Sequence, residues 1–224
     1  MDAIFPVLFI FAVLIIFFVI YQKALIRKRT SFINKYEFPE TIKSKVAQIY
    51  PHLDSAELEK VIRGLKDYFH LISLSQQKMV AMPSQVVDVA WHEFILFTKE
   101  YSLFCSKALG RFLHHTAAEA MKSKIKAQSG IRRAWRISCH REQINPFKPK
   151  RLPIIFALDA SLRIEDGFHY ELDCMKLQPS TSAGGVSDGG YCGSHIGCSS
   201  GCAGSAGDGG CSGDSGGGSG CGGD

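Results

Sequence analysis

Residues 3–22, AIFPVLFIFAVLIIFFVIYQ, carry no charged side chain. As a helix, twenty such residues extend about 30 Å, the thickness of a bilayer's hydrocarbon core. Pro6 falls in the first turn, where its missing N–H costs little. Only Asp2 precedes the run, so the basic n-region of a signal peptide is absent. Tyr21, Gln22 and Lys23 after it do not resemble a cleavage site. A retained single-pass anchor over residues 1–22 is therefore expected. Lys23, Arg27, Lys28 and Arg29 follow directly, and the positive-inside bias predicts an outside N-terminus with residues 23–224 cytoplasmic.

The other end restricts the fold just as firmly. Residues 180–224 are almost entirely Gly, Ser, Asp and Cys, a composition that cannot bury an apolar core and reads as a disordered tether. The folded part must come from the roughly 140 residues between, about one domain. Every Lys and Arg lies at or before Lys176, and the tail adds only Asp188, Asp208, Asp214 and Asp224, so residues 1–179 are more basic than the net +5 of the whole chain. Beside an anchor, such charge favours the anionic inner leaflet as partner and disfavours nucleic acid, which would be drawn by the same charge but has no other support. In a cytoplasmic chain the eight cysteines read as reduced thiols or metal ligands rather than disulfides.

The middle reads as mainly α. Residues 23–38 form a basic juxtamembrane linker, 39–145 a helical domain, and 146–179 an irregular or β-hairpin appendage. Ile42, Val46 and Ile49 mark a short helix between Pro39 and Pro51. Asp54 with Glu57 has capping-box spacing, opening a helix at about 55–74 with Leu58, Val61, Ile62, Leu65, Tyr68, Phe69 and Ile72 at helical spacing. Pro83-Ser84 opens a further helix from Gln85 to Ala108, apolar on most sides and hence central. Gly110 ends it. Thr116 and Glu119 repeat the capping pattern for a helix to about Gln128. Gly130 then separates a basic helix, about 131–144, carrying Arg132, Arg133, Arg136 and Arg141. Beyond the prolines, Ile154–Leu158 and Phe168–Leu172 read as a short hairpin or a loop packed on the helices.

The residues with chemical potential sit on the central helix. Asp88 and His92 are at i and i+4 and share a face. Asp88 behind His92 would fix the imidazole tautomer, as carboxylates do for metal-bound histidines, and His114 or His115 would approach from the following loop, with Cys105 as a further donor. Zinc or another transition metal is the cofactor this set would hold. The competing reading is a packing pair that hydrogen-bonds to a neighbouring helix, with Cys105 as a small buried hydrophobe and Cys139-His140 as surface or packing. Glu93 points about 100° from His92, so no zincin motif is formed. In the tail, Cys192, Cys198, Cys202, Cys211 and Cys221 include no CxxC pair; His195 with Cys198 and Cys202 makes a loose cluster that would take a soft metal such as Zn(II) or Cu(I), against the competing reading of a flexible, solvated tail. No phosphate loop, nucleophile elbow or kinase signature is present, which disfavours a nucleotide-dependent enzyme.

Val87-Asp88-Val89-Ala90-Trp91-His92, followed by Tyr101, Cys105 and a later His, resembles the motif of the glycine-rich domain-containing proteins, a family named from plants with bacterial relatives. The Gly-rich tail adds a compositional likeness. The resemblance covers at most residues 50–145, rests on Asp88, Trp91, His92, Tyr101 and Cys105, and implies a shared domain fold. The plant members' association with stress and hormone responses transfers poorly to a chain with an N-terminal apolar span. The leading functional expectation is a membrane-anchored cytoplasmic interaction or scaffolding module with an unknown protein partner, its basic surface formed by Lys23, Arg27, Lys28, Arg29, Arg132, Arg133 and Arg136. The alternative is a metal-binding domain built on Asp88 and His92.

Overall fold

The helix with the strongest cap in the sequence lies at the centre of the domain. In the computed structural model, which describes residues 4–115, 124–172 and 191–192, three helices precede the central segment: α1 (Ile4–Lys35), α2 (Glu40–Ile49) and α3 (Ser55–Leu74). Asp54 accepts from the Glu57 N–H at 2.7 Å, and Glu57 accepts from the Asp54 N–H at 3.1 Å. Two orphan donors of the first turn are thereby satisfied reciprocally. α3 buries Val61, Leu65, Tyr68, Phe69 and Ile72 and is packed by α1, α2, α4 (Gln85–Leu96), α5 (Thr98–Leu109), α6 (Lys124–Arg141) and α7 (Ile154–Ser161). At Gly64 an added Cβ would lie 2.8 Å from both Leu158 and Val87, so the absent side chain is what lets α4 and α7 close on α3.

α1 is the one described helix long and apolar enough to cross a membrane. Phe9 to Tyr21 are exposed. The expected linker is no separate segment: the same helix runs on through residues 23–35, and Ile33 is fully buried. Phe32, Tyr36, Phe38, Phe69, Phe94 and Phe104 form one aromatic cluster, with Tyr36–Phe104 and Phe38–Phe94 centroids 4.7 and 4.9 Å apart.

The expected helix over 85–108 is two helices. At Phe97 the backbone turns to φ −80°, ψ 62°, and α5 starts at Thr98. A straight helix of that length would carry Phe94 and Phe104 about 15 Å apart along its axis. The break folds them together, with centroids at 5.4 Å. Gly130 does not separate two helices but lies inside α6, where an added Cβ would come within 2.9 Å of the Ala81 nitrogen. The proposed cap at Thr116 and Glu119 lies outside the described residues.

Ile154–Leu158 is not a strand. It belongs to α7, with Pro153 as its N-cap and Ile155, Phe156 and Leu158 buried. Proline's fixed φ suits a helix start as well as it blocks a helix interior, and five apolar residues alone do not distinguish the two structures. Within Phe168–Leu172 the strand β1 (Tyr170–Glu171) pairs in parallel with β2 (Tyr191–Cys192), Tyr170 opposite Tyr191. The ladder is therefore not a hairpin, and it takes up two residues of the stretch expected to lack structure. Cys198, Cys202, Cys211 and Cys221 lie outside the described residues.

α1 also joins the domain through polar contacts. The Lys66 ammonium donates to the Asn34 carbonyl at 3.0 Å, and His70 Nε2 lies 2.8 Å from Asn34 Oδ1. Burial, with the positive Arg141 and Lys66 nearby, lowers the His70 pKa to about 4. Unfolded, His70 takes up a proton near pH 6.5. Between those two values the unfolded chain binds more protons, so stability is complete above about pH 6.5 and falls as the pH drops towards 4. The loss amounts to at most about 3 kcal/mol. Urea midpoints at pH 7 and pH 5 test this: the native chain should weaken, and His70→Gln, which keeps a donor for Asn34, should weaken less. An identical pH dependence in both would contradict the assignment to His70.

Candidate functional site

The site is assembled at the first turns of α4. Ser84 is the N-cap, its Oγ accepting from the Val87 N–H at 3.4 Å and donating to Asp159 Oδ1 at 2.6 Å. Asp159, 1 % exposed at the end of α7, also accepts from the backbone N–H groups of Gln85 (2.7 Å), Val86 (3.3 Å) and Phe168 (2.9 Å). A carboxylate at a helix N-terminus meets both orphan donors and the positive end of the helix dipole. This clamp sets where the following turn begins, and that turn carries Asp88 and His92.

The loop after α5 supplies the third member. Gly110 adopts a left-handed conformation, φ 72°, that ends α5 and packs against the Arg29 guanidinium. The chain then runs back along α5. Tyr101 is buried there, and its hydroxyl donates to the Leu113 carbonyl at 2.6 Å while accepting from Trp91 Nε1 at 3.2 Å. Burial raises the Tyr101 pKa, with a smaller contribution from Cys105, so the phenol stays protonated as the donor this link needs. The Trp91–Tyr101–Leu113 chain ties the loop to α4. Two residues on, His115 reaches the α4 face with its ring 4.6 Å from Trp91 and 4.1 Å from His92.

Asp88 lies between the two histidines. Its Oδ2 is 3.5 Å from His92 Nδ1 and its Oδ1 is 3.3 Å from His115 Nε2. One ligand atom from each of the three lies within 4.8 Å of the others. A tetrahedral ion with ligands at 2.0–2.1 Å sets neighbouring donors about 3.3 Å apart, and the two separations, each to a different oxygen of Asp88, are of that order. The side chains of Asp88 and His115 are 21 % and 18 % exposed, whereas that of His92 is 50 % exposed, so the group opens to solvent on the His92 side. Tyr68 lies behind it, its pKa raised by burial and then by the Asp88 charge.

The other sequence-predicted residues fall elsewhere. His114 packs beside the Phe112 ring at 4.8 Å and is not one of the converging three. Cys105 is fully buried and burial raises its pKa, which leaves it a neutral thiol in the core. Cys139 is buried with its pKa pushed up to about 11 by burial, and His140 beside it is exposed. Among the basic residues, Lys23, Arg27, Lys28 and Arg136 are exposed. Arg132 is half-buried. Arg133 donates to the Met79 carbonyl. Sequence reasoning missed Asp159. Its signal was a single acid within the apolar run Ile154–Ala160, since a buried carboxylate requires partners.

The chain belongs to a family described as UCP032817-like, whose model matches residues 28–196. The biochemical role of that family is not established. No curated protein and no solved structure matches the chain. The family assignment corrects the resemblance to the glycine-rich domain-containing proteins, which nothing else indicates. The short motif behind that resemblance has local causes here: Trp91 fills the core and donates to Tyr101, while Asp88 and His92 share one helical face. A Gly-rich tail is composition, which arises without common descent.

Proposed function

We propose that this UCP032817-like protein is a membrane-anchored domain that holds a divalent transition-metal ion through Asp88, His92 and His115. The observation that carries the reading is the convergence of two imidazoles and one carboxylate, from a helix and a separate loop, within 4.8 Å. Imidazole with carboxylate is a donor set for zinc and for non-haem iron or manganese. The apolar length of α1 supports the anchor, and the exposed Lys23, Arg27 and Lys28 support a cytoplasmic domain. The scaffolding reading has a narrower base, because Arg133 is engaged with the Met79 carbonyl and Arg136 remains as the freely exposed arginine of the predicted lipid-facing trio.

Metal content of the full chain, purified in detergent without a polyhistidine tag and loaded with zinc, tests this. The native protein should retain about one equivalent after buffer exchange, as a three-ligand site predicts. His92→Ala and His115→Ala should each lose most of it while keeping the native circular dichroism. His114→Ala should retain it. A folded native chain that binds neither zinc, manganese nor iron stoichiometrically would end the proposal.

A further inference from the structure

The geometry points to an open centre: we infer that the metal held by Asp88, His92 and His115 takes a carboxylate ligand from solution directly into its coordination sphere. This rests on the metal reading above and adds what the site is for.

Structural zinc sites are closed by four protein ligands, whereas sites that act on a ligand keep a position free. Here the described residues offer three donors, two from α4 and one from the loop after α5. Asp88 and His92 rise from one turn of α4, and His115 arrives on the same face from the loop. Among the described residues no fourth His, Cys, Asp or Glu joins the cluster. The buried Trp91 closes the inner side, its ring 4.6 Å from that of His115. The outer side is the half-exposed flank of His92. Water fills that position until a stronger donor displaces it.

Charge and donor type select the ligand class. A divalent ion with one carboxylate and two neutral imidazoles keeps a net single positive charge, so a monoanion neutralises the centre. With nitrogen and oxygen donors already present and no thiolate among them, an oxygen donor suits the ion better than a soft sulfur ligand. The step is a ligand exchange: a carboxylate oxygen donates an electron pair to the ion, the bound water leaves with its own pair, and nothing is oxidised or reduced.

Cobalt(II) provides the probe, because its visible absorption reports coordination number and ligand identity. The full chain in detergent is loaded with one equivalent of cobalt(II) and titrated with sodium acetate, with sodium perchlorate holding the ionic strength. The expected result is a saturable change in the visible bands with acetate and none with perchlorate. Cobalt bound stoichiometrically but with bands indifferent to acetate would overturn the open centre while leaving the metal site standing. Failure to bind cobalt, together with failure to bind zinc, would overturn both.

Discussion

A chain shortened to residues 39–224 will not fold, whereas one beginning at Lys23 will keep a cooperative unfolding transition. The difference lies in the last part of α1 and the residues just after it. Ile33 is fully buried, Phe38 is 7 % exposed, and Phe32 and Tyr36 pack on the rings of Phe94 and Phe104. Deleting one buried aromatic side chain costs about 3–5 kcal/mol. Losing the buried Phe38 and Ile33 together with the half-buried Phe32 and Tyr36 approaches the whole stability of an ordinary domain, about 5–15 kcal/mol. The same deletion leaves His70 and Lys66 without their Asn34 partners. The side chains from Phe9 to Tyr21 are exposed, so their removal takes nothing from the core. Circular dichroism melts of the two shortened chains give the comparison. A sharp transition in the 39–224 chain would show that the aromatic cluster closes without α1. If α1 spans a bilayer as proposed, its continuity into the core also means that the domain cannot swivel freely on a linker.

What could be read from the sequence followed the strength of local signals. α2 and α3 matched their expected limits because prolines, a capping box and one apolar stripe all agreed. The break at Phe97 left no such mark. No Gly or Pro interrupts residues 85–108, and the cause is tertiary, the gathering of Phe94 and Phe104 into one cluster. α7 was not legible because a short apolar run has no period to measure. At the site, the i, i+4 relation of Asp88 and His92 was legible from spacing alone, but Asp88 faces both histidines rather than standing behind one. The choice between His114 and His115 was not legible. Adjacent loop residues point in different directions, and the direction is set by a hydrogen bond from Tyr101, twelve residues before Leu113 in the chain.

Asp159→Ala should destabilise the domain by about 4 kcal/mol, the range for losing a buried polar hub, and Asp159→Asn should destabilise it by a smaller but measurable amount. Each carboxylate oxygen accepts two hydrogen bonds: Oδ1 from Ser84 Oγ and the Val86 N–H, Oδ2 from the N–H groups of Gln85 and Phe168. Alanine orphans all four donors. Asparagine keeps one acceptor oxygen for the Gln85 and Phe168 N–H groups and turns its NH₂ group to the other side, where the Ser84 hydroxyl can reverse its role and accept but the Val86 N–H faces a donor. Nor is there room to shift, since a Cβ at Gly167 would already lie 2.6 Å from Asp159 Cβ. The clamp also fixes the first turn of α4, so the variants that still fold should bind metal more weakly than the native chain although Asp159 lies outside the donor group. Urea unfolding and zinc affinity measured on the same preparations separate the two effects. An asparagine variant as stable as the native protein would mean that the four contacts are accommodated by the shape of the side chain and not by its two acceptor oxygens. A destabilised variant with native zinc affinity would mean that Asp88 and His92 are positioned by the rest of α4, with Trp91 and Tyr101 as the fixed point.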